Sequence, residues 1–204
     1  MYPEHENPEF NKIIANKKEF HEVRYDKMDE YTVEEYANRM CTEGDVFELA
    51  PHQLFARNFL SAMTPYKSLL LYHGLGTGKT CSAISVAEEM RDYMKEAGTS
   101  KRIYVVASPA IKINFRLQLF NPSKLVLNRS TGVWSMNTCV GNRLLKEIRT
   151  PAVSKDISIE QEEIMKDGII SKIESLIQKT YSFIGYEKLK LIIEETLFGR
   201  VKST

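Results

Sequence analysis

The sequence has little cysteine, a single tryptophan and no long apolar run, and it contains no Asp-Glu-x-His or Asp-Glu-x-Asp tetrad. Three cysteines, Cys41, Cys81 and Cys139, are odd in number and share no disulfide-framework or metal-ligand spacing, so free, reduced thiols are expected. No stretch approaches the roughly 18 apolar residues that cross a bilayer. The first thirty residues are charged and offer neither the apolar core nor the small-residue cleavage site of a secretion signal. A soluble, intracellular protein without a membrane partner is expected. Asn128-Arg129-Ser130 fits the glycosylation pattern, but without secretion it carries no meaning. There is no internal repeat and no low-complexity segment.

What is there suits one globular unit: 204 residues, 43% of them hydrophobic, can bury one sizeable core with a small appendage. A net charge of +1 conceals an uneven distribution. Residues 1–50 hold 6 basic and 13 acidic side chains, whereas residues 51–150 hold 14 basic and 5 acidic ones, and residues 151–204 are nearly balanced at 8 and 9. A basic middle suits a polyanion partner, although solvated surface explains it as well.

Residues 1–46 read as an acidic arm with a short helix, and residues 1 to about 30 of it, with scattered aromatics and little periodicity, as an arm or partly helical extension rather than a core element. Within it Thr32 and Glu35 form a capping box for a short helix over residues 33–40. Pro51 opens a second helix, with Leu54, Phe55, Phe59, Leu60 and Met63 at helical spacing. Next comes "SLLLY", residues 68–72, a continuous apolar run of the kind that fills a covered sheet. After Lys79 the residues Ala83, Ile84, Ala87, Met90, Tyr93 and Met94 mark a helix ending near Gly98. "IYVVA", residues 103–107, is the next strand, closed by Ser108-Pro109. Residues 121–150 mix turns with a helix around "GNRLLKEI", and Ser158 with Gln161 caps a longer helix carrying Ile164, Ile169, Ile170, Ile173, Leu176 and Ile177. "YSFIG", residues 181–185, is a third strand, with a helix behind it. Strand, helix and strand within about forty residues make a parallel βαβ unit, so the fold class is α/β with helices on both faces of a parallel sheet.

Between the run 68–72 and its helix lies "HGLGTGKT". Glycines reach backbone angles closed to other residues and admit close approach, so the N–H groups of such a loop can point at a polyphosphate, with the positive end of a helix behind them. Gly74, Gly76, Thr77 and Gly78 form that cradle; Lys79 reaches the β- and γ-phosphates, and Thr80 lends its hydroxyl to a bridging Mg2+. The strict pattern, Gly-x-x-x-x-Gly-Lys-Ser/Thr, fails at its first position, where His73 stands as a loop or packing residue. A glycine turn with an incidental lysine is the plain alternative.

"FELAPHQLFARNFLSAMTPYKSLLLYHGLGTGKTCSAISVAEEM" followed by "VVASPAIKINFRLQLF" resembles the first motor domain of superfamily 2 helicases, closest to the group in large cytoplasmic DNA viruses that includes the poxvirus early transcription factor small subunit and nucleoside triphosphatase I. "TCVGNRLLKEI" and "YSFIGYEKL" resemble segments of the same proteins, and the likeness runs from Phe47 to Leu189. It implies a RecA-like P-loop domain over residues 47–204 that binds ATP and Mg2+. It also implies an adenine-reading role for Gln53, the alternative being a polar residue on an exposed helix face. "SPAIKINF" resembles motif Ia, implying that Ser108, with Lys112 and Arg116 adding charge, holds a DNA or RNA backbone phosphate. "GYEKL" resembles the next strand-contacting loop, with Gly185 and Tyr186 near the backbone, though a plain strand-helix turn reads equally well.

Such motors also need an Asp-Glu pair on a strand end and an arginine finger from a second RecA-like domain. Only Glu194-Glu195 follows an apolar run, and Leu189, Ile192, Ile193 and Leu197 there recur at helical spacing. The expectation is an incomplete first motor domain, stopping before the acidic strand, that binds ATP but hydrolyses little alone. Its parent would be a helicase or translocase serving transcription or genome handling in the host cytoplasm or the virion, with viral transcription machinery and a second RecA-like domain as partners. The rival is a non-catalytic scaffold or partner-binding module derived from such a domain. A nucleotide kinase or GTPase would need an arginine-rich lid or an Asn-Lys-x-Asp loop, and neither is present.

Overall fold

The computed structural model describes residues 1–25, 32, 34–35, 47–154 and 157–198. They fall into two compact units, Met1–Ala97 with Cys139–Gly141, and Gly98–Thr138 with Asn142–Thr204.

In the first unit two short helices, α1 (Phe10–Ala15) and α2 (Lys18–His21), precede α3 (Pro51–Phe59) and α4 (Lys79–Glu96). The aromatics of the N-terminal segment, aperiodic in sequence, converge on one face of α3. Ile14, Phe20, Phe59 and Tyr66 are buried together, with Tyr2, Phe10, Phe55, Leu60 and Leu69 packed against them. The Phe59 and Tyr66 rings stack at 4.4 Å, and the Tyr66 hydroxyl donates to the Pro3 carbonyl at 2.7 Å. Pro3, Ile14 and Phe20 thus anchor this segment to the core, while most of the other residues in 1–22 face solvent. Thr32 and Glu35 form their capping box, Glu35 accepting from both the N–H and the hydroxyl of Thr32 at 2.8 Å. The rest of the expected helix 33–40, and Cys41, lie outside the described residues.

Helix α4 follows the predicted boundaries, but of the predicted apolar positions only Ile84 is fully buried, and polar residues share the buried face with it. Ser82, Ile84, Ser85, Glu88 and Arg91 are buried, whereas Tyr93 is exposed. The Arg91 guanidinium grips the Glu88 carboxylate with two bonds of 2.9 and 2.7 Å, which lets both charges leave water. Cys81 and Cys139 are joined in a disulfide, with Cα atoms 5.2 Å apart, which corrects the expectation of free thiols. A separation of 58 residues carries no spacing signal, and only the folded chain brings the two within bonding range.

The second unit holds the sheet. Strand β1 (Ile103–Val106) pairs in parallel with β4 (Tyr181–Ile184), Ile103 opposite Tyr181 and Val106 opposite Ile184. The crossover runs through α5 (Pro109–Leu119), a β2–β3 hairpin (Leu125–Asn128, Val133–Met136), α6 (Arg143–Glu147) and the 22-residue α7 (Ile159–Thr180), and α8 (Tyr186–Phe198) follows β4. Ser158 and Gln161 cap α7 reciprocally, and Ile169, Ile173 and Ile177 form its buried face, while Ile164 is exposed. Mixed helices with a small parallel sheet make the fold class α/β.

Residues 68–72 differ from expectation: they form no strand. A strand exists by pairing, and the paired parallel strands among the described residues, β1 and β4, bond to each other. Leu69 packs into the N-terminal aromatic cluster, whereas Leu70 and Tyr72 are 86% and 94% exposed. Glu194-Glu195 lie on α8, where Glu194 faces Lys190 one turn back at 3.8 Å, so they are not a strand-end pair.

Candidate nucleotide and nucleic-acid sites

The glycine loop is built between α3 and α4. Gly76 and Gly78 adopt φ of +81° and +78°, angles that L-residues avoid, and these two residues turn the chain back on itself. Gly78 is the N-cap of α4, an 18-residue helix whose first N–H groups therefore face the loop. The Lys79 ammonium folds over it, donating to the carbonyls of Gly74 at 2.8 Å and His73 at 3.1 Å. The Thr77 hydroxyl donates to the same Gly74 carbonyl at 2.9 Å. Thr80 sits half-buried in the first turn of α4.

Helix α3 holds this loop from behind. Gln53 is only 5% exposed, so it is not a polar residue on an open helix face. Its carbonyl oxygen accepts from the Ala50 N–H at 2.9 Å, capping α3, and its amide donates to the Gly78 carbonyl at 3.2 Å. His52 adds a second tie, Nε2 to the Thr77 carbonyl at 2.9 Å, which requires the Nε2–H form, while Nδ1 accepts from the Tyr25 hydroxyl. The His73 ring stands edge-on to His52 at 5.2 Å, a packing role, and its Nδ1 is buried without a partner among the described residues. His52 and Tyr25 escape sequence reasoning, since a lone His and a lone Tyr 27 residues apart carry no spacing signal. Gln53, Gly74, Gly76, Thr77, Gly78, Lys79 and Thr80 are thus brought into one site.

The second set gathers in the other unit, at the carboxyl edge of the parallel pair. Ser108 follows β1 as the N-cap of α5, and Gly185 with Tyr186 follows β4; the Ala107 N–H bonds the Ile184 carbonyl at 3.1 Å, holding the two loops side by side. The Ser108 side chain caps nothing in α5, and Tyr186 is exposed. Lys112 lies one turn into α5. Arg116, farther along, is drawn to Glu174 of α7 at 3.5 Å, an exposed pair, so it does not stand open toward that edge. Among the described residues no cluster of three His, Cys, Asp or Glu could hold a metal ion, and no helix is long and apolar enough to cross a membrane.

Comparison with known proteins places segments of this chain beside viral proteins named as helicases. One from Acanthamoeba polyphaga mimivirus, named an ATP-dependent RNA helicase, is 32% identical over 120 residues, 56% of this chain and 10% of that protein. A second mimivirus protein with the same name is 38% identical over 73 residues, 36% of this chain and 12% of its own length. A frog virus 3 protein named a helicase is 42% identical over 81 residues, 40% of this chain and 8% of its length. The chain spans about a tenth of the length of these relatives. No family model and no solved structure matches. The chain is therefore homologous in part to viral proteins named as helicases and carries a helicase-related domain.

Proposed function

We propose that this chain is the ATP-binding first motor domain of a viral superfamily 2 helicase or translocase, acting on DNA or RNA in transcription or genome handling, in the host cytoplasm or the virion. The observation that carries the reading is the loop 73–80, turned by two glycines at positive φ, with an ammonium folded over it and a helix N-terminus behind. In this reading the loop is a P-loop. The N–H groups of Gly74, Gly76, Thr77 and Gly78 cradle the polyphosphate, Lys79 exchanges two loop carbonyls for phosphate oxygens, and Thr80 takes the Mg2+. The residues fit such a ligand: a side chain built at Gly76 would meet open space, so the loop is not filled by its own packing. Gln53 holds the loop through Gly78, and to read adenine it must release Ala50 or Gly78 first.

Ser108, Lys112, Gly185 and Tyr186 form the nucleic-acid edge, in keeping with ligand binding beyond the carboxyl ends of parallel strands. Arg116 joins them only by leaving Glu174. Hydrolysis needs an Asp-Glu pair and an arginine finger that no described residue supplies. They belong to a second RecA-like domain and the remaining motor, in the same or another chain, with the viral transcription machinery as the larger partner. One observation favours the scaffold alternative: residues 68–72, which would be the strand feeding the loop, pair with no strand among the described residues.

The test is titration with a fluorescent ATP analogue and Mg2+, beside Lys79→Ala, with phosphate release followed in the same samples. Binding that vanishes in the variant, with no release from either protein, is expected. Equal binding by both proteins, or by neither, overturns the nucleotide reading and favours the scaffold.

A further inference from the structure

Behind the hairpin of the second unit lies a cavity of about 320 Å3, walled by Val133, Trp134, Leu145, Lys146, Arg149 and Pro151. That volume is at the lower end for small-ligand pockets, room for one ring and its substituent. Its frame is built with some care. The Asn142 side chain accepts from the Met136 N–H at 2.7 Å, tying α6 to β3. The Val153 N–H donates to the Gly132 carbonyl at 2.9 Å, holding the segment after α6 against the hairpin turn.

Three features of the wall are unexplained by packing. Trp134 is only 3% exposed, yet its indole N–H has no acceptor among the described residues, a state that buried donors rarely keep. Arg149 holds a φ of +50°, the left-handed region that a non-glycine residue enters at a cost, and it is fixed there by its N–H on the Lys146 carbonyl and by Thr150, whose hydroxyl donates to the Leu145 carbonyl. Lys146 and Arg149 stand exposed on the rim, and among the described residues neither is held in an ion pair.

An apolar slot with an unmet donor and two cations at its mouth suits a planar ring that bears acceptors and an anion. We infer that this cavity receives a single unstacked nucleotide of a nucleic-acid strand, its base against Trp134 and its flanking phosphates on Lys146 and Arg149. The choice of a nucleotide over another anionic ring rests on the helicase reading above and on the basic charge of residues 51–150. An acidic peptide, which shares the charge but not the ring, is the competing occupant. The site shares no residue with the edge formed by Ser108, Lys112, Gly185 and Tyr186.

Trp134 is the only tryptophan of the chain, so its emission reports on this cavity alone. The experiment titrates the full chain with a labelled single-stranded oligonucleotide, following Trp134 emission and oligonucleotide anisotropy together, and repeats it with a polyglutamate peptide. Expected are quenching of Trp134 by the oligonucleotide in step with the anisotropy and an affinity lowered about tenfold or more in Lys146→Ala/Arg149→Ala. The salt slope should be shallower by about 1.4, from two lost phosphate contacts on a single strand. Ala152→Leu, which fills the cavity from its rim, should abolish the quenching while thermal unfolding stays cooperative. Binding without change in Trp134 emission, binding undiminished in the double variant, no binding, or equal quenching by polyglutamate each overturns the proposal. Lys79→Ala should leave the Trp134 response intact, and the double variant should leave ATP-analogue binding intact, so failure here and failure of the nucleotide reading are told apart.

Discussion

Gly78→Ala separates two roles that the loop glycines play. At Gly76 and Gly78 alike, alanine must hold a positive φ, which costs about 1–2 kcal/mol for an L-residue. At Gly76 nothing among the described residues lies within 4 Å of the added methyl group, so that is the whole cost. At Gly78 the methyl group would stand 2.4 Å from the Gln53 amide nitrogen, and Gln53 is buried with both ends of its carboxamide bonded. It can yield only by giving up its bonds to Gly78 and Ala50, about 1 kcal/mol each. Gly78→Ala should therefore destabilise the first unit by about 3–4 kcal/mol and Gly76→Ala by about 1–2. Urea unfolding followed by circular dichroism reads both. In a Gln53→Ala background the obstacle is gone, and Gly78→Ala should fall to the Gly76 value, a coupling of about 2 kcal/mol. Equal costs for the two glycines, or a Gly78 cost unchanged without Gln53, would refute the claim that Gln53 props the loop.

Other consequences can be measured on the same protein. Reducing the Cys81–Cys139 bond opens a 58-residue loop in the unfolded chain and should lower stability by up to about 4 kcal/mol, seen as a drop in melting temperature with dithiothreitol that Cys139→Ser reproduces and that the reductant no longer deepens. Glu88→Ala removes the bidentate partner of buried Arg91 and should cost about 3–5 kcal/mol by denaturant unfolding, with Glu88→Gln costing less because it keeps the shape. Burial, with the Glu19 carboxylate beside it, pushes the Tyr2 hydroxyl up to about 12 from its ordinary 10, and the hydroxyl's bond in turn holds Glu19 below its usual range. The Tyr2 contribution is whole below pH 10 and lost as pH rises toward 12; the Glu19 contribution is whole above its ordinary 4.5 and lost as pH falls through its lowered value. Tyr2→Phe should flatten both limbs of a melting temperature against pH curve, and an unchanged curve would exclude the pair as their source.

Much of the second unit was legible because its signals are local. The runs 103–106 and 181–184 are short, apolar and bounded, Ser158 and Gln161 announce α7, and the helical spacing of Leu189, Ile192, Ile193 and Leu197 correctly denied Glu194-Glu195 a strand. The hairpin carries a weaker signal of the same local kind: Leu125 and Leu127 point inward, Val126 and Asn128 outward, and Gly132 closes the turn at φ +70°. What was not legible depends on distance along the chain. The aromatics of residues 2–20 have no period and become core only on α3; the disulfide joins residues 58 apart; and α4 buries Glu88 with Arg91, a pair that periodicity assigns to solvent. At the loop itself, the composition told which residues gather, but not that Gln53 would be spent on Gly78 and Ala50.

That last point bears on how the loop keeps its form. In the expected arrangement a strand at 68–72 delivers the chain to the glycines, and the sheet supplies rigidity. Here those residues pair with no strand among the described residues, yet the turn at 73–80 is closed. Its supports lie on the other side and within: His52 on the Thr77 carbonyl, Gln53 on the Gly78 carbonyl, and Lys79 on the carbonyls of His73 and Gly74. Two of these are side chains of one helix turn, fixed by Pro51 at its start and by the Gln53 cap on Ala50. The third is the group that a phosphate ligand would draw away. Binding therefore removes an internal tie and replaces it with one to the ligand, and the α3 contacts must hold the turn through the exchange. His52→Ala and Gln53→Ala should then weaken ATP-analogue binding although neither need touch the phosphates, and each should raise the protease sensitivity of residues 73–78 in the free protein, where Lys79→Ala alone raises it less. Loss of binding without that rise would place the two residues on the ligand instead of behind the loop.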